Sequence, residues 1–204
     1  MQLQIPEITT EKSQTQLTNS HSRTLIGIDP ATEGAAVVYK NEQVAVCFLW
    51  RRATRKKVKC FVIHTWDINK DAPTKNYVRA ISDIGFFISE HPAVNDGSQV
   101  HFSCEDTHYA NARSTIIVSR IGGAIVAPLE HKFQRDVVYV KANIWRHKVL
   151  GMKHFSKRKQ AKETSLKMIP SLLKNLDDVI LSLGRYDHIT DAGGILLYLK
   201  QQLS

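Results

Sequence analysis

Apolar residues fall along this chain in short blocks divided by polar turns, and the blocks follow two different periods. Residues 24–29 are nearly all apolar up to a terminal Asp29, as expected of a strand covered on both faces. Pro30 turns the chain, residues 34–40 resume as a second strand, and the turn Lys40-Asn41-Glu42 leads into a third at 44–49. Together these predict an antiparallel meander. Residues 60–66 predict another short strand. From 74 to 91, Tyr77, Val78, Ile81, Ile84, Phe87 and Ile88 follow the helical period, and Pro92 with the Asn95-Asp96-Gly97 turn ends that helix. Residues 100–105 predict a strand that, like the first, ends on a carboxylate, Glu105. A helix from 112 to about 126 places Ile116, Ile117, Ile121 and Ile125 on its inner face. Gly122-Gly123 inside it cost about 1 kcal/mol each relative to Ala, which predicts close packing against a neighbouring backbone. Residues 137–140 form a fifth core strand, 156–169 a helix, and 193–199 an apolar helix opened by Asp187-His188-Ile189-Thr190-Asp191-Ala192.

Composition narrows the class. With 204 residues, 43% of them hydrophobic, the chain can bury one core, predicting one domain over 23–204. Residues 1–22 are polar, fit neither a secretory signal nor an Arg-rich transit peptide, and read as a flexible tail. No apolar run approaches the roughly 20 residues of a membrane span, so no membrane-spanning segment is expected. Cys47, Cys60 and Cys104 lack zinc-type spacing and read as reduced thiols of an intracellular protein. A net charge of +9 favours an anionic partner, nucleic acid first and an acidic membrane surface second. The charge is concentrated. Six of the ten residues from 50 to 59 are basic (Arg51, Arg52, Arg55, Lys56, Lys57, Lys59) and none is acidic. Residues 141–162 hold eight Lys or Arg, among them Arg146, Lys148, Lys157, Lys159 and Lys162, again with no acid. A run like that at 50–59 is most often a solvated loop, and it could equally lie on phosphates.

The acids carry the chemistry. Asp29 and Glu105 end different strands, and His188 and Asp191, three apart, share one side of a helix's first turn. Singly, each has an ordinary explanation: a turn residue, a surface acid, or a first-turn acid favoured by the helix dipole. Jointly they form a cluster of oxygen and imidazole ligands that repels itself unless divalent cations fill it. Mg²⁺ prefers hard oxygen ligands, and two such ions can bracket a phosphodiester, activating a water on one side and stabilising the leaving 3′ oxygen on the other. The imidazole would be a ligand or a proton-transfer group.

At these residues the chain resembles the RuvC family of Holliday junction resolvases, within the ribonuclease H-like superfamily. Gly27-Ile28-Asp29-Pro30 with Gly34-Ala35 resembles the family's first motif. Glu105, followed by Asn111-Ala112-Arg113-Ser114 and Arg120-Ile121-Gly122-Gly123-Ala124-Ile125, resembles the second ligand and the start of the dimer-interface helix. Asp187-His188-Ile189-Thr190-Asp191-Ala192 resembles the third motif. The resemblance implies an α/β ribonuclease H-like fold with a five-stranded mixed sheet flanked by helices. It implies catalytic metal ligands Asp29, Glu105, His188 and Asp191, with Asp187 able to substitute for His188. It further implies two Mg²⁺ ions, replaceable by Mn²⁺, a homodimer, and paired symmetric nicks in four-way junction DNA during recombination and repair. Arg51, Arg52, Arg55, Lys56, Lys57, Arg146, Lys148, Lys157 and Lys159 are the expected DNA contacts, with Arg146 and Lys157 the best matches to family cations near the scissile phosphate. Such an enzyme would work in the cytoplasm or on the nucleoid, or in an organelle or virus-infected cell. The tail and the long interval from Asp29 to Glu105 depart from the bacterial pattern and suggest a divergent phage, viral or organellar branch. The competing expectations are a nuclease for RNA–DNA hybrids or flaps, and a junction-binding protein without catalysis. An actin-like ATPase, faintly suggested by the Gly27–Gly34 turn, would need a longer chain.

Overall fold

The computed structural model describes residues 22–106, 112–153, 158–184 and 186–204. Strands β1 (Arg23–Asp29), β2 (Gly34–Lys40) and β3 (Gln43–Arg55) form the expected meander, and β4 (Val58–Asp67) and β5 (Thr74–Val78) continue it. Helix α1 (Ser82–Ser89) leads to β6 (Gln99–Glu105), then to α2 (Ala112–Phe133) and β7 (Val138–Val140). Four helices close the described chain: α3 (Ala142–Leu150), α4 (Arg158–Leu172), α5 (Leu176–Leu183) and α6 (Tyr186–Gln202). The sheet has seven strands, not five, in the order β5-β4-β3-β2-β1-β6-β7. Neighbours from β1 to β5 pair antiparallel, while β6 and β7 run parallel to β1.

Both faces of this sheet are covered, which is why its central strands read as continuous apolar runs. Ile26, Ile28, Val38, Phe48, Trp50, Ile63 and Phe102 point to the side of α1 and α2, where they meet Ile84, Ile88, Ile125 and Leu129. Leu25, Val37, Cys47 and Leu49 point the other way, to Trp145, Ile169, Leu176, Ile189 and Leu196 of α3–α6. All three cysteines are free and buried. Among the described residues, no helix is long and apolar enough to cross a membrane.

Several expectations are corrected here. Residues 74–91 are not one helix: Thr74–Val78 pairs with β4 and alternates in burial, and the helix begins only at Ser82. Asp83 Oδ2 accepts from the backbone N–H groups of Arg79 (3.1 Å) and Ala80 (2.9 Å), fixing the change of direction. The basic run is not a loop, because β3 and β4 extend through it and turn at Lys56-Lys57, both in the left-handed region (φ 49° and 65°). Helix α2 continues past 126, through Pro128 to Phe133. Its Ile116 and Ile117 are exposed (52% and 44%), and only Ile121 and Ile125 face the core. Gly122 and Gly123 do not meet a backbone: a Cβ at Gly122 would touch Pro30 at 3.4 Å, and at Gly123 nothing lies within 4 Å. Helices α3 and α5 had not been anticipated. The expected tail at 1–22 lies outside the described residues except for Ser22, whose carbonyl accepts from Gln99 N–H.

Candidate active site

Parallel pairing of β1 with β6 places Ile28 opposite Cys104, so the next residues, Asp29 and Glu105, stand side by side at the strand ends. Adjacent strands lie about 4.8 Å apart, too close for two bare carboxylates to ignore each other. Both point to the side covered by α6. That helix lies against β1 at Gly27, where a Cβ would press on the Ala192 carbonyl and sit 2.6 Å from Leu196 N and 2.7 Å from Leu196 Cβ. The buried Ser103 hydroxyl donates to the Ile195 carbonyl at 3.1 Å and ties α6 to β6 as well. With α6 pinned at this depth, His188 and Asp191 hang over the two strand-end acids.

The four residues singled out by the sequence therefore meet. His188 Nδ1 lies 2.6 Å from Asp29 Oδ2. Glu105 Oε2 accepts from the Trp145 indole N–H at 3.2 Å, and Asp191 Oδ1 accepts from Arg146 Nη2 at 3.1 Å. Asp187 turns aside to Lys162, which donates to its Oδ2 at 2.9 Å. Each of the four side chains is thus held by a partner within the chain. Among the described residues, no three His, Cys, Asp or Glu side chains stand grouped closely enough to hold a metal ion.

The electrostatics are those of a site short of positive charge. Burial pushes the Glu105 carboxyl up to about 8, aided by Asp29 and Asp191, against which Trp145 and Arg146 pull only weakly. Burial likewise lifts Asp191 to about 6, although Arg146 opposes it. The hydrogen bond to Asp29 raises the His188 imidazole above its ordinary value. At Asp187 burial acts upward, but Lys162 and His188 outweigh it and hold the carboxyl below the usual range. Cys104, beneath the two strand-end acids, is raised well above an ordinary thiol by burial and by Asp29 and Glu105, so it stays neutral.

Around this cluster, a cleft of about 290 Å³ opens beside Glu105, lined by Asp106, Val118, Ser119, Gly122 and Tyr139. The Trp50 indole donates to the Ala31 carbonyl at 2.9 Å, holding the turn that follows Asp29. Of the expected DNA contacts, Arg51, Arg52, Arg55, Lys56 and Lys57 are exposed on the β3–β4 hairpin, and Lys148 is exposed on α3. Lys159 is exposed on α4, 3.9 Å from Glu163, which is also exposed. Arg146 is instead inside the site, and its buried Nε has no partner. Lys157 lies outside the described residues, as does Asn111.

Sequence reasoning passed over Trp145 and Ser103, and read Lys162 only as part of a basic run. A weak signal existed for Trp145: an indole beside Arg146 in a basic segment, facing the Gly193-Gly194 pair. A Cβ at Gly194 would meet the Trp145 ring (2.7 Å to Cε3), so that glycine makes room for the ring.

No family model and no curated protein matches this chain. Among solved structures, Thermus thermophilus RuvC in complex with a Holliday junction substrate is similar at 12% identity, TM-score 0.48, over 88% of this chain and 96% of that one. A second structure of Thermus thermophilus RuvC is similar at 12% identity and TM-score 0.47, with the same coverage.

Proposed function

We propose that this chain is a ribonuclease H-like, divalent-metal-dependent endonuclease that resolves four-way DNA junctions. The observation that carries the reading is the convergence of Asp29, Glu105, His188 and Asp191, from three distant parts of the chain, at one end of one sheet face. The order β3-β2-β1-β6-β7, with β2 alone reversed, suits the ribonuclease H-like arrangement, and β4 and β5 are an extension of it. The +9 charge suits a DNA substrate. The exposed Ile116 and Ile117 on α2 suit a homodimer, whose two-fold axis would match a junction of near two-fold symmetry.

The donor set suits Mg²⁺ or Mn²⁺: three hard carboxylates and one imidazole brought to one end of a sheet face, with Arg146 and Lys162 as positive neighbours of Asp191. Asp29, Glu105 and Asp191 would hold the ions, with His188 completing the set or moving a proton. Bound there, such ions supply a water of lowered pKa and a counter-charge for the leaving 3′ oxygen. The chain's own residues do the rest. Trp145 orients the Glu105 carboxylate, and Ser103 and Gly27 fix the height of α6 above the strands. Asp29 orients the His188 ring through Nδ1. Arg146 supplies positive charge beside Asp191 for an incoming phosphate.

The test is incubation of the purified protein with labelled four-way junction, flap, linear duplex and RNA–DNA hybrid, in Mg²⁺ or EDTA. Symmetric junction cleavage that EDTA abolishes, and that Asp29→Asn and Asp191→Asn each abolish while binding persists, is the expected result. Cleavage surviving both substitutions overturns the site. Cutting of hybrids alone makes the protein a ribonuclease H-like enzyme of another specificity. Tight junction binding with no cutting in any divalent metal makes it an architectural protein.

A further inference from the structure

The β3–β4 hairpin runs past the candidate site rather than away from it. Asp29 pairs with Ala35 and Ala35 with Leu49, so Leu49 stands level with Asp29, two strands to the side. Strand β3 is parallel to β1 and continues six residues further, to Arg55. At about 3.3 Å per residue, its tip lies roughly 20 Å beyond the level of the carboxylates. Side chains alternate along a strand, so Arg51 and Arg55 share the face of Leu49 and Asp29, the face on which the site opens. On that face Tyr77 of β5 carries the Arg55 guanidinium 4.6 Å from its ring centre and the Lys75 ammonium at 5.3 Å.

A solvated surface would normally intersperse acids among these cations. Here, among the described residues, Arg51, Arg55, Lys56, Lys57 and Lys75 form no ion pair with any acid. The turn makes the same point. Two consecutive residues with positive φ are ordinarily Asn-Gly, because any Cβ resists that conformation. Lys56-Lys57 occupy both positions, keeping two charges at the tip against a local backbone cost of about 1 kcal/mol or more each.

We propose that the β3–β4–β5 extension is a duplex clamp: it grips the phosphate backbone of one DNA arm about six base pairs from the site of cutting. At 3.4 Å per base pair, the roughly 20 Å reach of the hairpin corresponds to that distance. The contacts, from Arg51, Arg55, Lys75 and the tip lysines, are to phosphates and so are independent of sequence. The inference rests on the nuclease reading for its distance from the cut, but the binding it describes can be tested apart from cleavage.

The experiment uses the full chain, with Ca²⁺ in place of Mg²⁺. Its substrates are junctions whose loop-closed arms are either shorter than the hairpin's reach or twice as long, and linear duplexes of matching lengths. The variant combines Arg51→Gln and Arg55→Gln with Lys56→Asn and Lys57→Gly, which removes four charges while giving the turn its preferred pair. It is expected to bind long arms at least about tenfold more weakly, with a salt slope shallower by roughly three to four, and to match the wild type on short arms. Arg51→Lys with Arg55→Lys is expected to bind long arms as the wild type does. Unchanged binding of long arms overturns the clamp, and so does an equal loss on short arms. Hairpin-dependent binding to phosphatidylserine vesicles, with none to duplex, overturns it in favour of a membrane surface. If the wild type binds junctions no better than linear duplexes, yet the variant shows the same length-dependent loss on those duplexes, the clamp stands and the junction reading falls.

Discussion

Adding one methyl group at Gly27 tests how strictly the site depends on the contact between β1 and α6. A Cβ there would sit 2.6 Å from Leu196 N and 2.7 Å from Leu196 Cβ, besides pressing on the Ala192 carbonyl. Two of these three atoms are backbone, so no side-chain rotation relieves the clash. Ordinary contact begins near 3.4 Å, so α6 must retreat by at least about 0.8 Å at Leu196 and further at the Ala192 carbonyl, and the tie from Ser103 to Ile195 must stretch with it. Overpacking of this kind costs about 1–3 kcal/mol. The functional loss should be greater than that cost implies, because His188 and Asp191 ride on α6 while Asp29 and Glu105 stay on the sheet. A displacement near 1 Å at reacting groups lowers rates by about 10²-fold. The assay is urea denaturation of Gly27→Ala beside single-turnover cleavage of a four-way junction. Gly123→Ala serves as the comparison for stability: it lies in a helix with nothing within 4 Å of the new methyl, and it should gain up to about 1 kcal/mol. If Gly27→Ala unfolds at the wild-type urea concentration and cuts at the wild-type rate, the depth of α6 does not set the site.

Three further outcomes follow from the cluster. Trp145→Phe keeps the ring but removes the N–H that Glu105 accepts; it should cost about 1 kcal/mol of stability and slow cleavage, and an unchanged rate would show that the indole only packs. In EDTA the protein should lose stability as pH climbs from about 6.5 toward 8, on two counts of the same sign. The raised His188 imidazole contributes fully below its unfolded value near 6.5 and loses that contribution as pH rises through its folded value. Glu105, pushed up from 4.5 to about 8, holds its proton more tightly folded than unfolded, so its ionisation works against the fold over that range. Thermal melts across this range check the slope, and a flat or rising profile refutes it. Glu105→Gln should stabilise the EDTA-treated protein at pH 8 and weaken that slope, while abolishing both cleavage and any stabilisation by Mg²⁺. If Mg²⁺ stabilises this variant as it does the wild type, Glu105 is not a ligand.

The meeting of Asp29, Glu105, His188 and Asp191 was legible because each stands where an uninterrupted apolar block stops or a helix starts, and such positions are fixed by local pattern. The extension of the sheet was not. Strand β5 is five residues long, and its only apolar pair, Tyr77-Val78, fits a helical period as well as a strand's. The outer half of the hairpin lies beyond the helices that cover the sheet, so Arg51, Arg52 and Arg55 are exposed and leave no apolar alternation to read. Ile116 and Ile117 had the spacing of a core stripe, yet α2 buries its next turns and leaves that one uncovered. Trp145 was only weakly signalled, for another reason: its partner Glu105 is 40 residues away, a contact made by tertiary packing alone.

The placement of His188 and Asp191 on α6 also orders events in time. Chains fold from the N-terminal side as they are synthesised, at about 5–20 residues per second. The basic hairpin is complete once β4 has emerged, and the strand-end pair once β6 has paired with β1. The other two side chains arrive only with the final described helix, which must then travel back to the first strand, a contact of long sequence separation and slow formation. On the proposed reading, a nascent chain can hold nucleic acid well before it can cut it, and the docking of α6 is the step that arms the nuclease.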